Sequence, residues 1–316
     1  MIPYISTKNM TRAEWLEARR QGIGGSDASA ILGQNKWSSP LSVYLDKVGI
    51  SPEKAETEAM RQGTDCEEVV AKRFTAETDL KVKRCHKMFH HPEYPWMQAN
   101  IDRQVITGSG EFVGLECKTT SPFNQTDFEG GSVPPNYFWQ CQHYMAVTGA
   151  KEWYLAVMVF STAFHIFRIP RDENAIAQLI EAERIFWHDH VLAGVAPYPI
   201  GSDADDDAIA ILQATARTDS PVSIDDMRSQ LDTLALYERD KKALDEKIKT
   251  IKQTLMLRMG ASTNASCGRW AVTYKDETRT TIDSKKLRAE LPETFAMYSK
   301  TSVSRPLKIK EVHYGI

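Results

Sequence analysis

The sequence predicts an α/β protein with a central mixed sheet flanked by helices, followed by a C-terminal helical arm and a small α+β tail. Amphipathic helical segments alternate with short apolar, β-branched segments up to about residue 200. An acidic polar stretch at residues 201–207 then precedes one long helical segment. We therefore expect a core domain over residues 1–200, with the helical arm and tail over residues 201–316.

Capping and breaking signals define the elements of the core. Helices are predicted over residues 11–22, 28–32, 39–49, 56–76, 136–148 and 172–192, the second one following a glycine-rich turn at residues 23–27. Strands are predicted over residues 81–86, on both flanks of the turn at residues 108–110, and as a hairpin over residues 152–160 and 164–169. Residues 123–135, with paired glycines and prolines, are predicted to form a loop.

The chain has a different pattern beyond the acidic stretch. Residues 223–259 are predicted to form one long helix, whose apolar side chains follow a heptad-like seam interrupted by Lys241. Packing against another helix and an oligomer zipper both fit this seam, and a role in subunit or partner contacts is our hypothesis. The predicted tail consists of a strand over residues 268–275, a helix capped by Asp283 and interrupted at Pro292, and a strand over Arg305–Lys310.

Composition restricts the possible functions. The formal net charge of −3 excludes a globally basic DNA-coating protein, so contact with nucleic acid requires local basic patches. The sequence shows no run of about twenty apolar residues and no export signal. The five cysteines have no CxxC spacing. We therefore expect a cytoplasmic protein with reduced thiols, no membrane partner, and neither a disulfide framework nor a zinc site.

The residues with the most chemical information are Asp102 and the run Glu116-Cys117-Lys118. Side chains two residues apart on a strand point to the same face, so Glu116 and Lys118 project together. Pairing across the predicted hairpin would bring Asp102 beside Glu116. Two carboxylates suit a hard divalent cation at a phosphodiester, and a lysine can orient the attacking water. A surface salt bridge on a hairpin is the alternative interpretation.

Further positions could join this cluster. Glu67 on the fourth helix would add a carboxylate, although spacing does not distinguish it from Glu68 and solvated glutamates are common. Gln140, on a helix rich in aromatic residues, could position water or phosphate. Arg19, before the glycine-rich turn that contains Ser26, could grip a phosphate together with that turn. An ordinary exposed arginine at a helix C-terminus is the alternative.

Five motifs occur in an order that is specific to one family. They are Trp15–Asp27, Gly63–Glu67, Asp102, Glu116–Lys118 and Tyr137–Tyr144. In the region that holds them, the chain resembles the YqaJ-type viral recombinase nucleases, a lambda exonuclease-like family of the PD-(D/E)XK nuclease superfamily. The resemblance implies a PD-(D/E)XK restriction-endonuclease-like core.

The resemblance also implies an activity and partners. The expected enzyme is a Mg²⁺-dependent exonuclease, with Mn²⁺ as a substitute, that resects linear double-stranded DNA from the 5′ end. It would act as a ring-shaped homo-oligomer and deliver a 3′ overhang to a single-strand annealing protein of the RecT or Red-beta kind. A phage or prophage protein in the cytoplasm of a bacterial host is implied.

The resemblance assigns roles to individual residues. Asp102 and Glu116 are the main expected metal ligands, assisted by the backbone carbonyl of Cys117, and Glu67 is expected to help hold a second metal. Lys118 and Gln140 are expected to position the attacking water. Arg19 and Ser26 are expected to bind the 5′ phosphate. Asn100 stands where lambda exonuclease has a serine that helps to hold this phosphate. The amide can still donate a hydrogen bond, so we include Asn100 among the phosphate-binding candidates.

Two alternatives remain open at this point. An endonuclease of the same fold would cut a closed circular substrate, which an exonuclease should leave intact. A non-catalytic DNA-binding scaffold on a decayed nuclease fold is the second alternative. The presence of Asp102, Glu116 and Lys118 argues against decay, because an inactive copy would be free to lose them.

Overall fold

The computed structural model describes residues 2–52, 57–108, 110–214, 220–301 and 306–309. The chain divides into two compact units, Met1–Asp219 and Ser220–Ile316. The first unit contains two mixed sheets flanked by helices, which confirms the predicted α/β class. None of the helices in the described residues combines the length and the apolar character that crossing a membrane requires.

The first unit contains seven helices and nine strands within the described residues. The helices are α1 (Arg12–Arg20), α2 (Gly25–Ile31), α3 (Pro40–Lys47), α4 (Glu58–Thr78), α5 (Pro135–Thr148), α6 (Glu173–Ile185), which continues as π-helix over Phe186–Leu192, and α7 (Asp203–Leu212). The strands are β1 (Tyr4–Ser6), β2 (Ile23–Gly24), β3 (Val82–Arg84), β4 (Lys87–His90), β5 (Met97–Asn100), β6 (Arg103–Val105), β7 (Val113–Thr120), β8 (Glu152–Val159) and β9 (Ala163–Pro170). Turns of 3-10 helix over Pro122–Gly131 occupy most of the predicted loop.

The larger sheet has the strand order β3-β6-β7-β8-β9, with β7 and β8 parallel and the other neighbours antiparallel. The smaller sheet has the order β1-β4-β5-β2. The sequence predicted one strand through Asp102, but β5 and β6 belong to different sheets. Asp102 therefore lies where the chain leaves one sheet and enters the other. In the predicted turn that follows β6, Ser109 lies outside the described residues.

Helices cover both faces of the larger sheet, and the alternation of β7 separates these two environments. Val113 and Leu115 pack in the cluster that contains Val70 and Phe74 of α4. The main core cluster, which includes α5 and alternate residues of β8, lies on the other face. Every residue of α5 from Trp139 onward is buried. The aromatic residues of α5 thus serve mainly as core, and Gln140 is carried into the interior with them.

The first unit extends beyond the predicted boundary at residue 200. The acidic residues predicted as a connection instead form the first turn of α7, where Asp205 accepts hydrogen bonds from the backbone N–H groups of Ile200 and Ser202 at 2.9 and 3.0 Å. Carboxylates are favourable at a helix N-terminus because of the helix dipole. Ala208 is buried in the main core cluster. The acidic composition therefore reflects capping, not a linker.

The second unit is built around a long helix. It contains α8 (Arg228–Met259), the antiparallel hairpin of β10 (Asn264–Cys267) and β11 (Trp270–Thr273), and the short helices α9 (Ser284–Glu290) and α10 (Pro292–Tyr298). The strand predicted over residues 268–275 is therefore one half of a hairpin. Residues 306–309 form no strand, and Arg305 and Lys310 lie outside the described residues. No residue of α8 is buried, including its apolar seam.

Packing at Gly114 supports a stability prediction. Trp153 is fully buried opposite Gly114, and a Cβ atom at Gly114 would lie 2.0 Å from the indole ring. We expect Gly114→Ala to destabilise the first unit by about 1–3 kcal/mol, because overpacking shifts the core. Urea unfolding followed by circular dichroism measures this cost. A matched control is Gly63→Ala within α4, where the new Cβ meets only Thr119 Oγ1 at 3.8 Å and should stabilise the helix by up to about 1 kcal/mol. Equal midpoints for the two variants would contradict the prediction.

Candidate active site

The pairing of β6 with β7 brings Asp102 to Glu116. Arg103 pairs with Leu115, so the antiparallel register, continued by one residue, sets Asp102 opposite Glu116. Oδ2 of Asp102 accepts a hydrogen bond of 2.8 Å from the backbone N–H of Cys117. This bond fixes the first carboxylate against the strand that carries the second. The two acids are therefore neighbours across the pairing of β6 with β7, as the sequence predicted.

Glu116 forms the centre of the cluster, and its side chain is 4% exposed. Its Oε1 atom lies 2.8 Å from Nζ of Lys118 and accepts a hydrogen bond of 2.6 Å from Nε2 of Gln140. Its Oε2 atom is buried and has no hydrogen-bond partner among the residues that the structure describes. Burying a carboxylate oxygen without a partner is costly. Oε2 is thus available to a ligand that brings positive charge.

Gln140 connects this cluster to the glycine-rich turn near the N-terminus. Nε2 of Gln140 also donates to the hydroxyl of Tyr144, one turn along α5, at 2.8 Å. The Tyr144 ring packs so closely on Gly25 that a Cβ atom there would lie 2.5 Å from it. Ser26 follows directly in the chain. The close approach permitted by glycine therefore brings the Ser26 turn near the carboxylates.

Arg19 and Ser26 meet on the surface of this turn. Nη2 of Arg19 donates to Oγ of Ser26 at 3.1 Å, and the guanidinium lies 4.8 Å from the ring centroid of Trp15. A guanidinium beside a hydroxyl offers several donors to a phosphate. Asn100, the last residue of β5, lies two residues before Asp102 and is partly buried. Its predicted role and that of the Arg19–Ser26 pair stay predictions.

Glu67 lies close enough to the cluster for its charge to raise the pKa of Asp102 and of Glu116, and it also pairs with a cation that was not predicted. Strand alternation turns Arg103 toward α4, where its guanidinium forms ion pairs with Glu67 and with Glu68, the latter at 3.0 Å. Arg103 also donates to the backbone carbonyl of Asp102 at 2.8 Å and has a nearly inaccessible side chain. Glu67 thus faces a cation of the protein itself, and its role at a second metal stays a prediction.

Burial dominates the electrostatics of the cluster. Desolvation raises the pKa of Asp102 well above its ordinary range, and the charge of Glu116 raises it further. Desolvation also raises the pKa of Glu116, because Lys118 and Gln140 offset only part of that effect. Burial by itself lowers the pKa of Lys118, but the charges of Glu116 and Asp102 outweigh it and the net pKa is raised. Lys118 therefore stays an ammonium.

The donor set fits a hard divalent cation. Carboxylate oxygens are the ligands such ions prefer, with water completing the coordination. Asp102 and Glu116 supply two carboxylates, and the unpartnered Oε2 of Glu116 leaves an oxygen available for an ion. In the described part of the chain, no group of three His, Cys, Asp or Glu side chains that could hold a metal is present. The predicted third ligand, Glu67, is paired with Arg103.

Comparison with known proteins gives the family. The pattern of the YqaJ-like viral recombinase domain matches residues 14–151. The uncharacterized protein YqaJ of Bacillus subtilis (strain 168) is 34% identical over 307 residues, which cover 96% of this chain and 95% of that protein. The chain belongs to the YqaJ-like viral recombinase family. The predicted site residues of this YqaJ-like chain, from Arg19 to Gln140, all lie within the matched residues.

Two solved structures are also similar to this YqaJ-like chain. An alkaline exonuclease from Laribacter hongkongensis has 21% sequence identity and a TM-score of 0.48, covering 58% of this chain and 94% of that one. A phage-related exonuclease from Haemophilus somnus 129PT has 14% identity and a TM-score of 0.43, covering 55% of this chain and 96% of that one.

Sequence reasoning missed residues that the structure draws into the site. Arg103 follows Asp102 directly, but its pairing depends on which sheet face α4 covers. Tyr144 belongs to a recognised motif, yet its hydroxyl contact with Gln140 follows from helix spacing only once Gln140 is known to face the sheet. Asp27 and Lys47 form a buried ion pair of 2.7 Å beneath the turn. Asp27 is the last residue of the first motif, and this position was the sequence feature that could have pointed to a role for Asp27.

The raised pKa values of the two acids predict a pH-dependent stability. The folded state holds protons on these carboxyls at pH values where the unfolded chain, with ordinary pKa values near 4, has lost them. Stability contributed by this site is therefore lost as pH rises through the window between the ordinary and the raised pKa values. Asp102→Asn keeps an acceptor for the Cys117 N–H and removes the charge. In the presence of a chelator, we expect the Asp102→Asn variant to have a higher Tm than the wild type. The increase in Tm should be larger at pH 8 than at pH 5.

Differential scanning fluorimetry checks this prediction, since 1 kcal/mol corresponds to roughly 2–4 °C in a unit of this size. The matched control is Glu77→Gln on the exposed face of α4, which should change stability by less than about 0.5 kcal/mol. A Tm gain that does not vary with pH, or a loss of Tm, would be the contrary result.

Proposed function

We propose that this chain is a divalent-metal-dependent deoxyribonuclease that degrades one strand of linear duplex DNA from its 5′ end. The observation that carries the proposal is the buried cluster of Asp102, Glu116, Lys118 and Gln140, with one Glu116 oxygen unpartnered. Membership of the YqaJ-like viral recombinase family agrees with DNA processing. Mg²⁺ is the proposed ion, and Mn²⁺ is the proposed substitute.

Each residue has a proposed role in phosphodiester hydrolysis. Asp102, Glu116 and the Cys117 carbonyl would hold divalent cations, which would supply positive charge to a phosphoryl group. Lys118 stays protonated beside Glu116, so its ammonium orients the attacking water and stabilises negative charge that develops on the phosphate. Gln140 holds Oε1 of Glu116 and provides an amide near the same water.

End recognition is assigned to Arg19, at the end of α1, and Ser26, in the first turn of α2. We propose that the Arg19 guanidinium and the Ser26 hydroxyl bind the terminal 5′ phosphate, with Asn100 as an additional donor. The contacts from Ser26 through Gly25 and Tyr144 to Gln140 support a short path between this turn and the carboxylates. A phosphate bound there would place the DNA end beside the scissile bond.

The proposed partners follow from the family. A homo-oligomeric ring would keep the enzyme on one DNA duplex, and a single-strand annealing protein of the RecT or Red-beta kind would take up the 3′ overhang. The exposed apolar seam of α8 is the proposed contact for a subunit or for this partner. A phage or prophage origin and a site of action in the bacterial cytoplasm are part of the same proposal.

One assay tests the function and its alternatives. Linear duplex DNA labelled at either end and closed circular DNA are incubated with the protein, with and without Mg²⁺, and the products are resolved on a gel. We expect loss of the 5′ label first, an intact circle, and no cleavage in chelator. A nicked or linearised circle would indicate the endonuclease alternative. The absence of cleavage on all substrates, with DNA binding intact, would indicate a scaffold.

A single substitution tests the role of Lys118. We expect Lys118→Ala to lower the cleavage rate at least about 10²-fold, the usual cost of losing a group that stabilises developing negative charge, while DNA affinity changes less than about threefold. Single-turnover kinetics and filter binding measure the two effects. Lys151→Ala removes a lysine that contacts Glu111 at the surface and serves as the control. A Lys118→Ala rate near wild type would exclude the assigned role.

A further inference from the structure

The side chain of Lys47, on α3, is 1% exposed. Long cations are rarely this buried unless they are paired, because removing an ammonium from water is expensive. Lys47 has two partners. Nζ lies 2.7 Å from Oδ2 of Asp27 and donates to the backbone carbonyl of Arg19 at 3.2 Å. The ammonium therefore bonds directly to the backbone of a residue proposed to bind phosphate.

Asp27 extends this connection to the other side of the turn. Its Oδ2 atom also accepts a hydrogen bond of 3.0 Å from the backbone N–H of Gly24. Desolvation opposes ionisation of Asp27, but the charges of Lys47 and Arg19 outweigh it, and the pKa of Asp27 is lowered. The ion pair thus ties the end of α1 to the start of α2. The peptide units that it holds belong to Arg19 and Gly24, on either side of the turn.

Arg19 and Ser26 are joined by a short segment that other contacts also hold, namely the pairing of β2 with β5 and the 3.1 Å hydrogen bond from Gln98 Nε2 to the Ala18 carbonyl. The Lys47–Asp27 pair adds a buried tie that bonds to the Arg19 carbonyl itself. The side chains of Arg19 and Ser26 meet at 3.1 Å on the surface, where a long guanidinium side chain has many rotamers to lose on binding. Fixing both backbones sets the separation at which the guanidinium and the hydroxyl can face one anion. Preorganisation of this kind raises affinity without adding a contact.

We propose that the buried Lys47–Asp27 pair is a positioning device for recognition of the DNA end, setting the Arg19–Ser26 separation that selects a terminal phosphate. This inference rests on the proposed function of the Arg19–Ser26 turn. Lys47 and Asp27 touch neither the reacting atoms nor the phosphate. They act through Arg19 and through the backbone of the turn.

The test measures discrimination between DNA ends, because a merely structural pair would not change it selectively. The readout is the ratio of kcat/KM for linear duplex with a 5′ phosphate to that for the same duplex with a 5′ hydroxyl. Lys47→Met removes the ammonium but leaves the Asp27 charge buried, which threatens folding. The paired variant Asp27→Asn with Lys47→Gln removes both charges together and keeps an acceptor for the Gly24 N–H.

We expect either variant to reduce the ratio by about 10-fold or more, the size of one lost charge-assisted hydrogen bond. The reduction should appear mainly as a higher KM for phosphorylated ends. Arg19→Ala should reduce the ratio to a similar extent. Combining Arg19→Ala with the paired variant should reduce it little further, because both act through the same guanidinium.

A control variant separates positioning from general loss of stability. Val43→Ala lies on the same helix, is buried in the main core and removes no polar group. The kcat/KM ratio of each variant is measured at a temperature that lies the same number of degrees below that variant's Tm. A ratio preserved in Val43→Ala supports the proposal, and an equal loss there overturns it.

Three further outcomes would also overturn it: a wild-type ratio near one, an unchanged ratio in the paired variant, or additive losses with Arg19→Ala. Failure of the proposed function has a different signature. In that case the wild-type protein cleaves neither kind of linear duplex.

Discussion

The site depends on a carboxylate that the fold buries without fully satisfying it. Glu116 projects from a central strand toward α5, where Lys118 and Gln140 hold one oxygen and nothing in the described residues holds the other. Such an arrangement destabilises the protein, since buried acids resist ionisation. Its presence in the interior is understandable if a cation completes it during function.

The geometry around this carboxylate follows from strand alternation. Val113 and Leu115 of β7 pack in the cluster that contains α4, whereas Glu116 and Lys118 face α5. The same alternation on β6 sends Asp102 toward Glu116 and Arg103 toward α4. A one-residue slip in this register would exchange the acids for hydrophobic side chains. The buried contact between Gly114 and Trp153 is one feature that fixes the register of β7 with its other neighbour, β8.

Features set by local rules could be predicted from the sequence, and those set by long-range packing could not. The period of a strand brings Glu116 and Lys118 together, and hairpin pairing adds Asp102, so their convergence was predictable. The partner of Glu67 depends on which face of the sheet α4 covers. The local sequence pattern does not predict that face. The acidic residues before Ala208 were interpreted as a linker because capping acids and linker acids look alike in sequence. Lys47 gave no signal at all, since a lysine near the end of a helix is normally exposed.

The pairing of Arg103 with Glu67 and Glu68 has a consequence for the metal-free protein. The guanidinium serves as a resident counter-ion, so the acidic pocket is never left as bare anionic charge when divalent ions are scarce. Any incoming ion that recruits Glu67 has to exchange with this guanidinium and forfeit part of its binding energy. Under the proposed function, a second position that uses Glu67 would therefore fill after one between Asp102 and Glu116, and its occupancy would follow the supply of free cation.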